Sequence, residues 1–166
     1  MEFKIEEDKI SLYVNSKRVS WVVYRQSGDE IELLATFTAK GEEGKGYASK
    51  VVEKALDYAR SFEKIKISCP YIKHWIGKHG FDRKVEYTKL LEFKEALEKF
   101  NRFHSPEAVA EFMREDGDLV YVKFTGPFCV SCGVYDYFED VTQDADAEVV
   151  DYEEVEDGFV VKYRLL

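Results

Sequence analysis

Glycines recur at Gly41, Gly44 and Gly46, directly before a helical run of apolar residues that begins at Ala48. A glycine-rich turn leading straight into a helix is an anion site. Glycine lets the backbone approach a phosphate closely, the first helical N–H groups have no partner of their own, and the helix dipole favours negative charge. Two nucleotide patterns are excluded by the neighbouring residues. A Walker loop needs Gly-Lys followed by Ser or Thr, and here Gly46 is followed by Tyr47. A dinucleotide fingerprint follows a buried parallel strand, whereas this loop follows the third strand of a meander.

A second chemical signal is the C-x-x-C at Cys129 and Cys132. The pair opens a predicted helix, where a thiolate is favoured, so Cys129 is the more reactive member. Three readings stay open. Phe124 and Phe128 give the segment a resemblance to a thioredoxin-like redox motif, but only 34 residues follow Cys132, too few for the rest of that fold. The segment also resembles the cysteine region of NifU-type cluster scaffolds. One C-x-x-C supplies two ligands, so a metal or iron–sulfur site needs a partner chain or His104 and one more ligand. The third reading is two cysteines packed as small apolar residues. The acidic stretch Asp136 to Asp146 lacks the glycine of a calcium loop and reads as a solvated face.

These groups must be held by regular elements. Alternation at Ile10, Leu12 and Val14, at Val19, Trp21 and Val23, and at Ile31, Leu33, Ala35 and Phe37 predicts three antiparallel strands. Turns fall at Asn15-Ser16 and Ser27-Gly28-Asp29. After the glycine cluster, Ala48, Val51, Val52, Ala55, Leu56 and Ala59 make the stripe of an amphipathic helix of about four turns. A strand at Ile65 to Ser68 ends at Cys69-Pro70, and a shorter helix runs from Tyr71 to Lys78. Residues 82–92 read as a junction. Beyond it, Phe93, Ala96, Leu97 and Phe100 form a helical stripe, and Ser105-Pro106 carries the N-cap and first-turn signal of another helix. Leu119 to Phe124 reads as a strand, Cys129 to Val141 as a helix, and residues 148–165 as a hairpin turning at Glu156-Asp157-Gly158. The fold class is α/β (α+β), in two parts of residues 1–88 and 89–166.

Charge supports the division. From residue 90 onward there are 19 acidic residues against 7 basic ones, a net −12, so the preceding part of this −9 chain carries +3. The basic part suits a phosphorylated ligand, while the acidic part repels nucleic acid. No apolar run approaches the ~20 residues needed to span a bilayer, and the charged start is not a signal peptide, so a cytoplasmic protein without a membrane partner is expected. Three cysteines do not make a disulfide scaffold. The oligomeric state is open, and an oligomer is allowed.

The run Gly41-Glu42-Glu43-Gly44-Lys45-Gly46-Tyr47-Ala48, between a strand and a long helix, resembles the pyrophosphate loop of the GCN5-related N-acetyltransferases, with its Arg/Gln-x-x-Gly-x-Gly/Ala signature. With the Cys-Pro step and the Lys-His-Gly-Phe ending, the stretch of roughly residues 5–85 is similar to the small acetyltransferase-like subfamily. The resemblance implies a mixed sheet with helices and an acetyl-CoA (or other acyl-CoA) co-substrate. It also implies acyl transfer to a small-molecule or protein amine acceptor. It places the cofactor against Thr36, Phe37, Thr38, Gly41, Glu43, Gly44, Lys45, Gly46, Tyr47, Ala48 and Ser49. It makes Cys69, Tyr71 and His74 the candidates for acid, base or acyl-accepting roles. A buried inert Cys69 and a surface His74 are the competing structural readings. Departures occur at Gly41, where the family has Arg or Gln, at Ala35, where the subfamily carries His, and at Glu43, where Arg is common. They bear on catalysis more than on binding. The alternative is therefore a non-catalytic CoA-binding or scaffold protein, whose Cys129–Cys132 pair serves a metal, a cluster or thiol redox.

Overall fold

The computed structural model describes residues 1–127 and 134–166, which divide into two compact units, Met1–Thr88 and Lys89–Leu166. The first unit comprises β1 (Glu2–Ile5), β2 (Lys9–Val14), β3 (Lys17–Ser27), β4 (Glu30–Thr38), α1 (Tyr47–Ala59), β5 (Lys64–Ile67), α2 (Pro70–His79) and β6 (Glu86–Tyr87). Its six strands lie in chain order, antiparallel from β1 to β4 and parallel from β4 to β6. The stripe of α1 (Val51, Val52, Ala55, Leu56 and Ala59) is buried on one face of this sheet against Ile10, Leu12, Val22, Ile31 and Leu33. Each fully buried aliphatic side chain of that layer contributes roughly 1.5–3 kcal/mol.

Two bulges change the phase that plain alternation predicts. Leu12 pairs with Ser20 but Tyr13 pairs with Arg18, so Val19 is an extra residue on β3. Val19, Ser20, Val22 and Tyr24 are consequently buried, and Trp21 and Val23 lie on the opposite face, which corrects the expected inward set. Likewise Val23 pairs with Ala35 but Tyr24 pairs with Leu33, so Leu34 is extra on β4. Beyond it Thr36 and Thr38 share the face of buried Val22 and Ser20, and Phe37 turns outward, 48% exposed and stacked on Trp21 with centroids 5.6 Å apart.

The second bulge coincides with a parting of strands. β4 pairs with β5 only from Glu30 to Leu33, with the Ser68 N–H donating to the Leu33 carbonyl (2.9 Å) as the last rung. The β5 chain then turns into α2 at Pro70, while β4 continues to Thr38.

The second unit comprises α3 (Lys89–His104), β7 (Val109–Asp116), β8 (Leu119–Thr125), α4 (Val134–Val141), β9 (Ala147–Val155) and β10 (Gly158–Leu165). Its antiparallel sheet has the order β7-β8-β10-β9. An aromatic core forms where Phe124 and Phe138 lie 5.0 Å apart and Phe93 meets Tyr163 at 5.1 Å. The helix expected at Ser105-Pro106 is absent. The Ser105 N–H instead donates to Asn101 O (3.0 Å), closing α3, and β7 follows, its Ala110 N–H held by Asn101 Oδ1 at 2.7 Å. The junction 82–92 contains β6 and the first turn of α3, and β1 is an edge strand that the sequence pattern did not reveal.

Candidate functional site

Gly44 (φ +78°) and Gly46 (φ +81°) hold left-handed backbone in the loop before α1, a conformation that costs other residues energy. A Cβ built at either would meet nothing within 4 Å, so conformation and not crowding requires glycine there. Gly46 is the N-cap of α1, no side chain caps that end, and the first turn carries no acidic residue. Among the described residues, the backbone N–H groups of residues 43–49 have no protein acceptor. These donors, together with the positive end of a 13-residue helix, form a seat for an anion.

The seat opens into a cleft of about 400 Å³ lined by Thr36, Thr38, Glu42, Glu43, Gly44, Gly46, Tyr47, Ala48, Ser49 and Tyr71. The loop and the parted stretch of β4 thus belong to one cavity. Ser20 Oγ donates to the Phe37 carbonyl (2.7 Å) and lies 3.2 Å from Thr38 Oγ1, fixing the end of β4. Trp75 Nε1 donates to Ser49 Oγ at 2.8 Å, so Ser49 keeps its own hydroxyl proton for another acceptor.

Eight of the eleven expected cofactor residues line this cleft: Thr36, Thr38, Glu43, Gly44, Gly46, Tyr47, Ala48 and Ser49. Gly41 and Lys45 belong to the same loop without lining it, and the Phe37 side chain faces the other side of the sheet because of the Leu34 bulge. Among the three expected catalytic residues, Tyr71 lines the cleft, Cys69 is buried at 3% exposure, and Cys69 Sγ lies 3.4 Å from Thr36 Oγ1. His74 is exposed on α2 and does not line the cleft. Partial burial, with the Cys69 thiol adding to it, raises the Tyr71 phenol above its ordinary value.

Glu42 was not singled out by the sequence reading. Its carboxylate accepts from Lys17 Nζ and Lys45 Nζ, both at 3.0 Å. The bonds from Lys45 and then Lys17 hold it below the usual carboxylate range. Trp75 was also missed, because a tryptophan four positions before His79 looks only like a packing residue; the two rings do stack, at 4.3 Å. Cys129 and Cys132 lie outside the described residues, and among the described residues no group of three His, Cys, Asp or Glu is placed to hold a metal. No helix among the described residues is long and apolar enough to cross a membrane.

A family model described as GCN5-related N-acetyl-transferase matches residues 3–85. No curated protein matches the chain. Among solved structures, the ribosomal-protein-S18-alanine N-acetyltransferase from Escherichia coli aligns with 98% of this chain and 70% of its own, at 8% identity and a TM-score of 0.30.

Proposed function

The chain belongs to the GCN5-related N-acetyltransferase family, and on that premise we propose that its first unit binds acetyl-CoA, or another acyl-CoA, and passes the acyl group to an amine. The observation that carries this reading is the row of loop and first-turn amides without protein acceptors, in one cleft with the parted edge of β4.

The residues present fit such a co-substrate. The amides of residues 44–48 would take a pyrophosphate, with the Ser49 hydroxyl as a further donor. When bound, acetyl-CoA supplies an activated thioester. The β4 backbone between Ala35 and Thr38, unpaired on the side of β5, offers N–H groups to polarise an acyl carbonyl, which stabilises charge as it develops on that oxygen. Tyr71 lines the cleft with a phenol that, like any tyrosine, is protonated at neutral pH, so it can act as an acid toward a departing thiolate. Cys69, beside Thr36, is the second candidate for that proton or for transient acceptance of the acyl group.

Incubating the full chain with acetyl-CoA and a panel of small and peptide amines, and following free thiol together with acyl-amine by mass spectrometry, tests the reading. Transfer is expected, and Tyr71→Phe lowers kcat by roughly 10²-fold if the phenol is the general acid. Tight CoA binding without transfer to any amine would instead favour the non-catalytic binding or scaffold reading, for which Ala35, standing where the subfamily carries His, is the motive. In that case the absorption spectrum and metal content of anaerobically purified protein report whether Cys129 and Cys132 carry a metal or cluster.

A further inference from the structure

We infer that Glu43 is a built-in competitor for the phosphates at the glycine loop, and that it sets the affinity of the cleft for the phosphorylated part of its ligand. The inference rests on the CoA-binding reading above and adds a control element to the same site.

Two glutamates line the cleft, and their surroundings differ. The Glu42 carboxylate is held between two lysine ammonium groups, Lys17 and Lys45, so its charge is compensated. Glu43 has no ion-pair partner among the described residues. Its Oε2 instead accepts the Gly41 backbone N–H at 2.8 Å. A carboxylate oxygen on a loop amide does what a phosphate oxygen does: it accepts an N–H bond and places negative charge within the loop. Glu43 thus satisfies the Gly41 amide at the edge of the loop, while among the described residues the donors of residues 43–49 stay without a protein acceptor. Because Glu43 lines the cleft together with Gly44, Gly46, Tyr47 and Ala48, a phosphate arriving at those amides meets its uncompensated negative charge.

The penalty is local and chemical in kind. It falls on ligands with phosphates and spares the uncharged pantetheine portion. It is also adjustable, because Glu43 is an exposed side chain on a loop and can swing away without unfolding anything. Gln at this position keeps an oxygen for the Gly41 N–H and deletes the charge, which separates repulsion from loop geometry.

Isothermal titration of CoA and of pantetheine, at low and at physiological ionic strength, into the full chain and two variants tests this. The variants are Glu43→Gln and Glu53→Gln. Glu53 is exposed on α1 and outside the cleft, so its replacement makes the same change in net charge elsewhere. The expected result is that Glu43→Gln tightens CoA binding about three- to tenfold at low salt and less at high salt. Pantetheine binding stays within twofold, and Glu53→Gln stays near the unaltered chain. Equal CoA affinity for Glu43→Gln and the unaltered chain, or an equal gain for Glu53→Gln, overturns the inference while leaving the binding reading intact. CoA binding to none of the three proteins overturns that reading and the inference with it.

Discussion

Replacing Gly46 by Ala probes the loop where backbone conformation and ligand space meet. Gly46 sits at φ +81° as the N-cap of α1, and a left-handed alanine costs about 1–2 kcal/mol. No protein atom lies within 4 Å of the added methyl, so no clash adds to this strain, and the space it enters is that of the cleft itself. Two responses are open to the variant. If the backbone keeps its conformation, the first unit melts lower by roughly 4–8 °C per kcal/mol, and the methyl stands where a phosphate must approach. If the backbone relaxes, the melting loss shrinks but the first-turn amides turn from their present directions. A hydrogen bond to a charged acceptor contributes about 1.5–3 kcal/mol, so losing one weakens binding by roughly 10- to 100-fold. Both routes lower affinity for acetyl-CoA. Gly46→Asn serves as companion, because Asn tolerates left-handed backbone: it recovers stability while still filling the cleft. Calorimetric titration with parallel melting curves reads both quantities. An affinity for Gly46→Ala within twofold of the unaltered chain would refute the placing of the ligand at this loop.

Three further outcomes test the packing within each unit. Gly158→Ala places a Cβ 1.9 Å from the Phe124 carbonyl oxygen, so the β8–β10 pairing must shift, and a loss of about 3 kcal/mol or more is expected in urea unfolding. Tyr163→Phe removes a buried hydroxyl that donates to the Phe138 carbonyl at 2.8 Å; about 1–2 kcal/mol is expected, and a neutral result would show that water satisfies that carbonyl. Tyr24 donates to the Glu6 carbonyl, and burial, then the neighbouring Tyr58, push its phenol up to about 12. Its folded-state value lies above the unfolded one of about 10, so its contribution is full below about pH 10 and is lost as pH rises toward 12. Tyr71, Tyr135 and Tyr163 are raised as well, so the check is the difference between the ultraviolet titrations of the unaltered chain and of Tyr24→Phe: the variant should lack one tyrosinate in the late part of the curve.

The long helix and the loop before it were legible because both signals are local. Apolar residues at helical spacing from Ala48 to Ala59 and three closely spaced glycines depend on no distant partner. The strands were legible in place but not in phase. An extra residue at Val19 and another at Leu34 reverse which side chains face inward, and a bulge is defined by the partner strand, which the pattern does not contain. That reversal brings Thr36 and Thr38 into the cleft and turns Phe37 out of it. At Ser105-Pro106 the residues of a helix N-cap end a helix instead, since Asn101 claims both the Ser105 and Ala110 amides and β7 finds its partner in β8. Glu42 was overlooked because only the folded chain brings Lys17, 25 positions earlier, to its carboxylate.

The measurement that bears most directly on the central claim is the equilibrium titration of acetyl-CoA into the full chain, with Gly46→Ala alongside. Saturable heat and a rise in melting temperature, both markedly weakened in the variant, are what a pyrophosphate seat at residues 44–48 predicts. No heat and no thermal shift at millimolar acetyl-CoA, or equal binding by both proteins, would contradict it.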